Sequence, residues 1–258
     1  MAFEKQEVKA LIIASLVSAL VFSFNEWGTE KFSLSIGVLN LIRALIITSL
    51  IFTFHAYLQK RVAKRFNCTA KFRLLTLEPY KYEVVTIQDR AKKETKIILK
   101  PIGLLITLFV TLLSNGKLML VLLASAVIEP KKISRVGRKF VNIKESEFAQ
   151  IALAGPIAEL ILLAVFKLLL PISPLFFQKA MFIAASLAVF NILPIPKMNG
   201  GQIFFSSIPI YLFSLFFVIL FVISVYQLSI INTLMLSLIL SLLISILYVY
   251  KIFFSKFL

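Results

Sequence analysis

The sequence predicts an all-α polytopic membrane protein with about six transmembrane helices, a re-entrant hairpin and short surface β-strands. Hydrophobic residues make up 60% of the 258 residues and the mean hydropathy is +0.96, whereas soluble domains contain about half apolar residues. Several apolar runs approach or exceed the about 20 residues that cross a hydrocarbon core of about 30 Å. These runs lack the ten-residue alternation of a transmembrane β-barrel, so helices are expected.

The distribution of charge indicates membrane topology rather than nucleic-acid binding. The formal net charge is +16, and the basic residues concentrate in segments 59–100 and 129–147, between apolar runs. Such loops are typical of the cytoplasmic side of a membrane protein, where anionic lipids are the expected partners. Cys68 is the only cysteine, which excludes an internal disulfide and a cysteine metal cluster.

The order of the apolar runs predicts a multi-pass protein with both termini in the cytoplasm. No cleavage site precedes Asn25, so the first run is expected to remain as a helix. Segment 67–100 mixes β-branched and charged residues, which favours short strands at the membrane surface. No repeat or long linker is visible, and residues 1–258 are predicted to form a single membrane domain. The expected spans are 8–24, 35–57, 146–170, 176–193, 202–226 and 229–250.

Two short apolar runs, 101–113 and 118–128, are predicted to form a re-entrant hairpin. Neither run is long enough to cross a bilayer as an upright helix. The dipeptide Asn115-Gly116 between them is a strong turn signal, and both flanks are basic, so both flanks belong on one side. Two tilted short helices would satisfy the same facts.

Two polar segments stand at the predicted cytoplasmic ends of membrane helices. The first is FHAYLQ, residues 54–59, at the end of the second span. The second is NILPIPKMNGG, residues 191–201, after the fourth long span. The predicted topology places both segments on the same side of the membrane, so we expect a functional site to be formed by these two segments.

These segments resemble the motifs of the site-2 protease family of intramembrane zinc metalloproteases. HAYLQKRVAKRFNCTAKFRL resembles the family's HExxH helix and the strands after it. IALAGPIAEL resembles its A-G-P helix, and FNILPIPKMNGGQIF resembles its L-D-G segment. Together they cover about residues 41–203 in family order. The resemblance implies a helical membrane core with a zinc site between these segments.

The departures from the family pattern fall on the residues that carry its chemistry. The first zinc-binding histidine corresponds to His55, but the general-base glutamate corresponds to Ala56. The second histidine corresponds to Gln59 and the aspartate ligand to Asn199. Catalytic zinc needs three protein ligands and an open position, and the water it binds needs a base. The comparison therefore implies no bound zinc or other cofactor and no catalytic residue among these four positions.

Glu159 lies outside the motif residues and is predicted to be buried in a membrane helix. It falls where the family usually has asparagine, well inside the expected span 146–170. An intramembrane carboxylate suggests a functional site. Arg43, the arginine within the second span, is a possible partner, and a protonated or purely structural glutamate is the alternative. A contact between Glu159 and His55 is disfavoured by their expected depths.

Three hypotheses for the function follow. The first is a catalytically inactive site-2-protease-like protein that binds or scaffolds a client membrane protein or an extended peptide. The second is an active intramembrane metalloprotease that holds zinc through an unconventional ligand set with His55 and Glu159. The third is a membrane scaffold or transport subunit that is similar in architecture alone.

Overall fold

The computed structural model describes residues 3–28, 32–76, 101–130 and 143–254. Its elements in chain order are α1 (Lys5–Ser23), α2 (Leu34–Arg65), β1 (Cys68–Leu74), α3 (Ile102–Leu113), β2 (Ala124–Pro130), α4 (Glu145–Leu169), α5 (Pro174–Ile192), α6 (Asn199–Ser206), α7 (Ile208–Val225) and α8 (Ile230–Phe254). Six of these helices (α1, α2, α4, α5, α7 and α8) are long and apolar enough to span a membrane. This confirms the prediction of a helical multi-pass membrane protein.

The predicted span 202–226 is divided into two helices, which corrects that prediction. α6 ends at Ser206 and α7 begins at Ile208. Between them Ser207 is extended, with φ −162° and ψ 109°, and Pro209 stands in the first turn of α7. Proline has no N–H to donate to the preceding turn, so the helix cannot continue through this point without a break. The break leaves α6 as a short helix that begins at Asn199.

The hairpin region consists of one helix and one non-helical arm. The first run forms α3, and positive φ angles at Asn115 and Gly116 confirm the predicted turn. The second run is not helical: residues 118–123 have no regular secondary structure and lead into β2, which pairs antiparallel with β1 from Cys68↔Pro130 to Leu74↔Ala124. The alternative of two short helices is therefore wrong. Residues 77–100, the remainder of the predicted strand segment, and 131–142 lie outside the described residues.

The hairpin extends along most of the length of α1. At its base, the Gly103 N–H donates to the Leu75 carbonyl at 3.1 Å. At its tip, Gly116 has φ +72° and lies against Phe24 and Asn25, where a Cβ would come within 2.5 Å of the Phe24 ring. α3, which joins the base to the tip, has 12 residues, about 18 Å. Re-entry of this hairpin into the bilayer remains a prediction.

α4 lies at the centre of the bundle and packs against α2, α5, α6 and α7. Its face toward these helices carries Ala152, Gly155 and Ala158, all buried. Small residues at such spacing let membrane helices approach closely, where lipid provides no hydrophobic driving force for association. This close approach brings the polar residues of four helices together.

Candidate functional site

The motif residues of the two polar segments meet in the interior of the bundle. His55, Ala56 and Gln59 lie on α2, with His55 and Gln59 one turn apart on the same face. Asn199 is the first residue of α6, and the buried carboxylate of Glu159 comes from α4. Each of these side chains is at most 2% exposed, so the sequence-predicted site residues form one buried cluster, with Arg43 excluded.

Five side chains form a continuous chain of hydrogen bonds, which we call the polar network: Gln59, Asn199, His55, Glu159 and Asn191. Gln59 Nε2 donates to Asn199 Oδ1 at 2.9 Å. Asn199 Nδ2 and His55 Nε2 are 3.1 Å apart, and His55 Nδ1 and Glu159 Oε1 are 2.9 Å apart. Asn191 Nδ2, from α5, also donates to Glu159 Oε1. The network therefore joins α2, α4, α5 and α6.

The Ala152 carbonyl determines which atoms donate and which accept along the network from Gln59 to Glu159. Gln59 Nε2 also lies 3.4 Å from the Ala152 carbonyl, which can only accept, so the Gln59 amide nitrogen must point this way. Asn199 then presents its oxygen to Gln59 and its N–H to His55. The Nε2 atom of His55 consequently accepts, and Nδ1 carries the proton that it donates to Glu159. In this arrangement the imidazole is neutral and its tautomer is defined.

The contact between Glu159 and His55 corrects two expectations from the sequence. Glu159 was expected to lie at a different depth from His55 and to have Arg43 as a possible partner. Arg43 is exposed on α2 and precedes His55 by 12 positions, about 18 Å along the helix. An arginine side chain at that offset cannot reach a carboxylate that contacts His55. The position of α4 along α2, which the sequence does not define, decides that Glu159 contacts His55 and not Arg43.

The second carboxylate oxygen of Glu159, Oε2, is buried and has no hydrogen-bond partner among the described residues. Both donors of the network, His55 and Asn191, are directed at Oε1. A carboxylate in an apolar interior is costly unless its oxygens are bonded. Glu159 is therefore the member of the network with a buried oxygen that lacks a hydrogen bond.

The space around His55 is filled. A Cβ added to Gly155 of α4 would lie 2.5 Å from His55 Cε1 and 2.6 Å from Asn199 Nδ2. On another side, the Phe72 ring of β1 packs edge-on against the imidazole with centroids 6.2 Å apart. Glycine is thus the one residue type that fits at position 155, because any side chain would displace the imidazole or the amide.

His55, Gln59 and Asn199 do not fit zinc. The lone pair of His55 Nε2 accepts the Asn199 N–H, and the nearest anion, Glu159, lies on the Nδ1 side of the ring. Gln59 and Asn199 are neutral amides, whereas catalytic zinc is bound by imidazole, thiolate or carboxylate. Within the ranges that the structure describes, no three His, Cys, Asp or Glu side chains form a group that could hold a metal. Ala56 provides no base for a water molecule.

Sequence reasoning missed Asn191 as a member of the network. This residue begins the NILPIP segment, in which the resemblance points to Asn199 alone. Asn191 is buried and lies near the end of α5, where its side chain meets Glu159. The available signal was a polar residue, with no charge, in the last turn of an apolar helix that precedes a motif.

A second buried carboxylate, Glu7, was also missed, and it connects α1, α2 and β1. Its Oε2 accepts from Lys60 Nζ at 2.7 Å, and its Oε1 accepts from the Phe72 backbone N–H at 3.1 Å. Nearby, an exposed hydrogen bond from Lys71 lowers the pKa of Glu4, and Glu4 in turn raises the pKa of Lys71. These contacts hold β1, and with it Phe72, against the imidazole of the network.

Comparison of the chain with protein-family models, with curated proteins and with solved structures found no match.

Proposed function

We propose that this chain is a catalytically inactive, site-2-protease-like membrane protein that binds another membrane protein. The observation that carries the proposal is the hydrogen bond between Asn199 Nδ2 and His55 Nε2 at 3.1 Å. It occupies the nitrogen that would otherwise face a metal, and the amides of Gln59 and Asn199 complete a closed network. A site built this way stabilises the arrangement of helices and does not activate water.

Support for partner binding comes from the non-helical arm of the hairpin. The backbone N–H and C=O groups of Met119 and Leu120, two partly buried residues, form no hydrogen bond to any residue that the structure describes. If the hairpin re-enters the bilayer, such groups must face water or another polypeptide, because lipid cannot bond them. An extended segment of a client could supply these bonds by strand addition.

The neighbouring edge of β2 is already occupied by side chains. Gln202 Nε2 donates to the Ala126 carbonyl at 2.6 Å. The Ser125 hydroxyl donates to the Lys197 carbonyl at 2.7 Å, so α6 and the turn before it cover β2. We therefore propose that the client binds at residues 119 and 120 and not on the paired part of the sheet.

Photo-crosslinking tests this proposal. A photoreactive amino acid would be placed at Leu118 and, separately, at Leu120 in native membranes, with the exposed α8 position Leu238 as control. We expect one discrete protein to be captured from both hairpin positions and not from the control. The captured protein would then be reconstituted with purified wild type and with Leu120→Pro, which lacks the N–H at that position. Adducts with lipid alone, or equal binding by both forms, would contradict the proposal.

One observation favours the second candidate, an active metalloprotease with an unconventional ligand set. His55 and Glu159 are in contact, with 2.9 Å between Nδ1 and Oε1, so the two residues that this candidate requires do lie together. The candidate predicts bound zinc in stoichiometric amount and substrate cleavage that is lost in His55→Ala. Purified protein that contains no zinc by elemental analysis and cleaves no transmembrane substrate would exclude it.

A further inference from the structure

The exposed face of α2 changes from apolar to basic along a single stripe. Ile46, Leu50 and Tyr57 are exposed and follow one another at helical spacing. Arg61 and Lys64 continue the same stripe toward the end of the helix, and both are exposed. The lipid-facing surface of this helix therefore leads directly into a cationic surface.

The length of α2 places that cationic surface at the membrane boundary. The helix has 32 residues, about 48 Å, which exceeds the hydrocarbon thickness of about 30 Å. Arg43, on the same stripe, precedes Arg61 by 18 positions, about 27 Å along the axis. This separation is slightly less than the thickness of the hydrocarbon core, so Arg61 lies near one boundary when Arg43 lies near the other. Tyr57, one turn before Arg61, stands where aromatic side chains mark the interface.

The basic residues at this end of α2 are not neutralised by their own helix. α2 contains no acidic residue. Lys60 differs from its neighbours because it turns inward and pairs with the buried Glu7 at 2.7 Å. Arg61, Lys64 and Arg65 point outward, and none forms an ion pair with a described acidic residue.

We propose that Arg61, Lys64 and Arg65 form a binding site for the headgroup of an anionic phospholipid. The acyl chains would lie along the apolar part of the stripe, against Ile46 and Leu50. Guanidinium groups bind phosphate oxygens in a bidentate manner, and lysine adds a further charge. The site lies at the end of the helix that carries His55 and Gln59, so the lipid holds the helix that supports the polar network.

Native mass spectrometry of the full-length protein from nanodiscs of mixed phosphatidylglycerol and phosphatidylcholine tests this site. The test variant is the triple substitution Arg61→Gln, Lys64→Gln and Arg65→Gln. The matched control removes the same number of charges at exposed lysines off the stripe, by Lys5→Gln, Lys9→Gln and Lys251→Gln. We expect wild type to retain phosphatidylglycerol in preference to phosphatidylcholine. The apparent affinity should fall about fivefold for each basic residue removed from the stripe.

Three outcomes would overturn the proposal. Equal loss of phosphatidylglycerol from the test and control variants would show that only net charge matters. If wild type shows no preference for phosphatidylglycerol, the basic residues do not bind its headgroup and a protein partner becomes the alternative. Retention of phosphatidylglycerol by the test variant at the wild-type level would place the lipid elsewhere. Folding of each variant is checked by its thermal unfolding before the lipid is counted.

Discussion

His55 and Glu159 are 104 positions apart in the chain, and a contact of 2.9 Å joins Nδ1 of the imidazole to Oε1 of the carboxylate. A carboxylate on the Nδ1 side of a histidine is the usual device that orients a metal-binding imidazole. In this protein the same device orients an imidazole whose other nitrogen accepts an amide N–H from Asn199. The carboxylate therefore lies where it would support a metal-bound histidine, but the other ring nitrogen of this histidine is engaged by an amide.

Removal of the Glu159 acceptor should destabilise the protein, whereas removal of Arg43 should not. Glu159→Leu leaves the donors of His55 and Asn191 without partners, at a cost of about 1–3 kcal/mol for each buried group. Glu159→Gln keeps an acceptor oxygen and should cost less. Arg43→Gln should change the unfolding free energy by less than about 0.5 kcal/mol, as for exposed positions. Thermal unfolding in nanodiscs measures all three.

The double variant of Glu159→Leu and Arg43→Gln provides the control for that experiment. Because the two residues lie about 18 Å apart along the bundle axis, their effects on unfolding should be additive within about 0.5 kcal/mol. A larger coupling energy would support the ion pair between Arg43 and Glu159 that the sequence suggests.

The side chains of the site-2 protease motifs should lower the stability of this protein when they are introduced without metal. The triple substitution Ala56→Glu, Gln59→His and Asn199→Asp places up to two new buried carboxylates beside His55 and removes two of the three amides of the polar network. We expect a lower unfolding temperature in the presence of a chelator, since unpaired ionisable groups are costly in a membrane interior. Stability unchanged from wild type would count against a structural role for the present residues.

Added zinc provides a second measurement on the same triple variant. His55, His at position 59 and Asp at position 199 would then converge where the wild-type side chains are already hydrogen-bonded to each other. Zinc should raise the unfolding temperature of this variant by binding the folded state, and it should leave that of wild type unchanged. Equal shifts in both proteins would indicate zinc binding elsewhere.

Gly155→Ala should disturb the network with a single methyl group. The new Cβ would lie 2.5 Å from His55 Cε1, so either the imidazole or the helix must move. Overpacking of this kind costs about 1–3 kcal/mol. Val165→Ala, at an exposed position of the same helix, is the matched control and should be nearly neutral. Equal stabilities of wild type and Gly155→Ala would mean that the interior has more space than the structure shows.

Glu7→Gln should loosen the contact between α1 and β1. The carboxylate accepts from Lys60, from the Phe72 N–H and from the Glu4 N–H, and one amide oxygen cannot replace both carboxylate oxygens. Removal of one charge from a fully buried ion pair lowers the unfolding free energy by about 3–5 kcal/mol.

Hydrogen exchange at the Phe72 amide gives the local measurement for Glu7→Gln. The exchange rate should rise in Glu7→Gln and stay near wild type in Glu26→Gln, which removes an exposed carboxylate that pairs with Lys179 beyond the other end of α1. Similar exchange in the two variants would show that Glu7 does not hold the strand.

The sequence by itself determined the class of protein and the residues at the site positions. Long apolar runs specify membrane helices because hydropathy is summed over neighbouring residues, and the turn at Asn115-Gly116 is likewise a local property. The difference between Ala56, Gln59 and Asn199 and the motifs that these segments resemble is visible without coordinates. The tertiary structure alone decided that Glu159 contacts His55, that Asn191 joins them and that the second arm of the hairpin pairs with β1. Each of these depends on the rotation and axial offset of one element against another, and packing between residues distant in the chain sets those offsets.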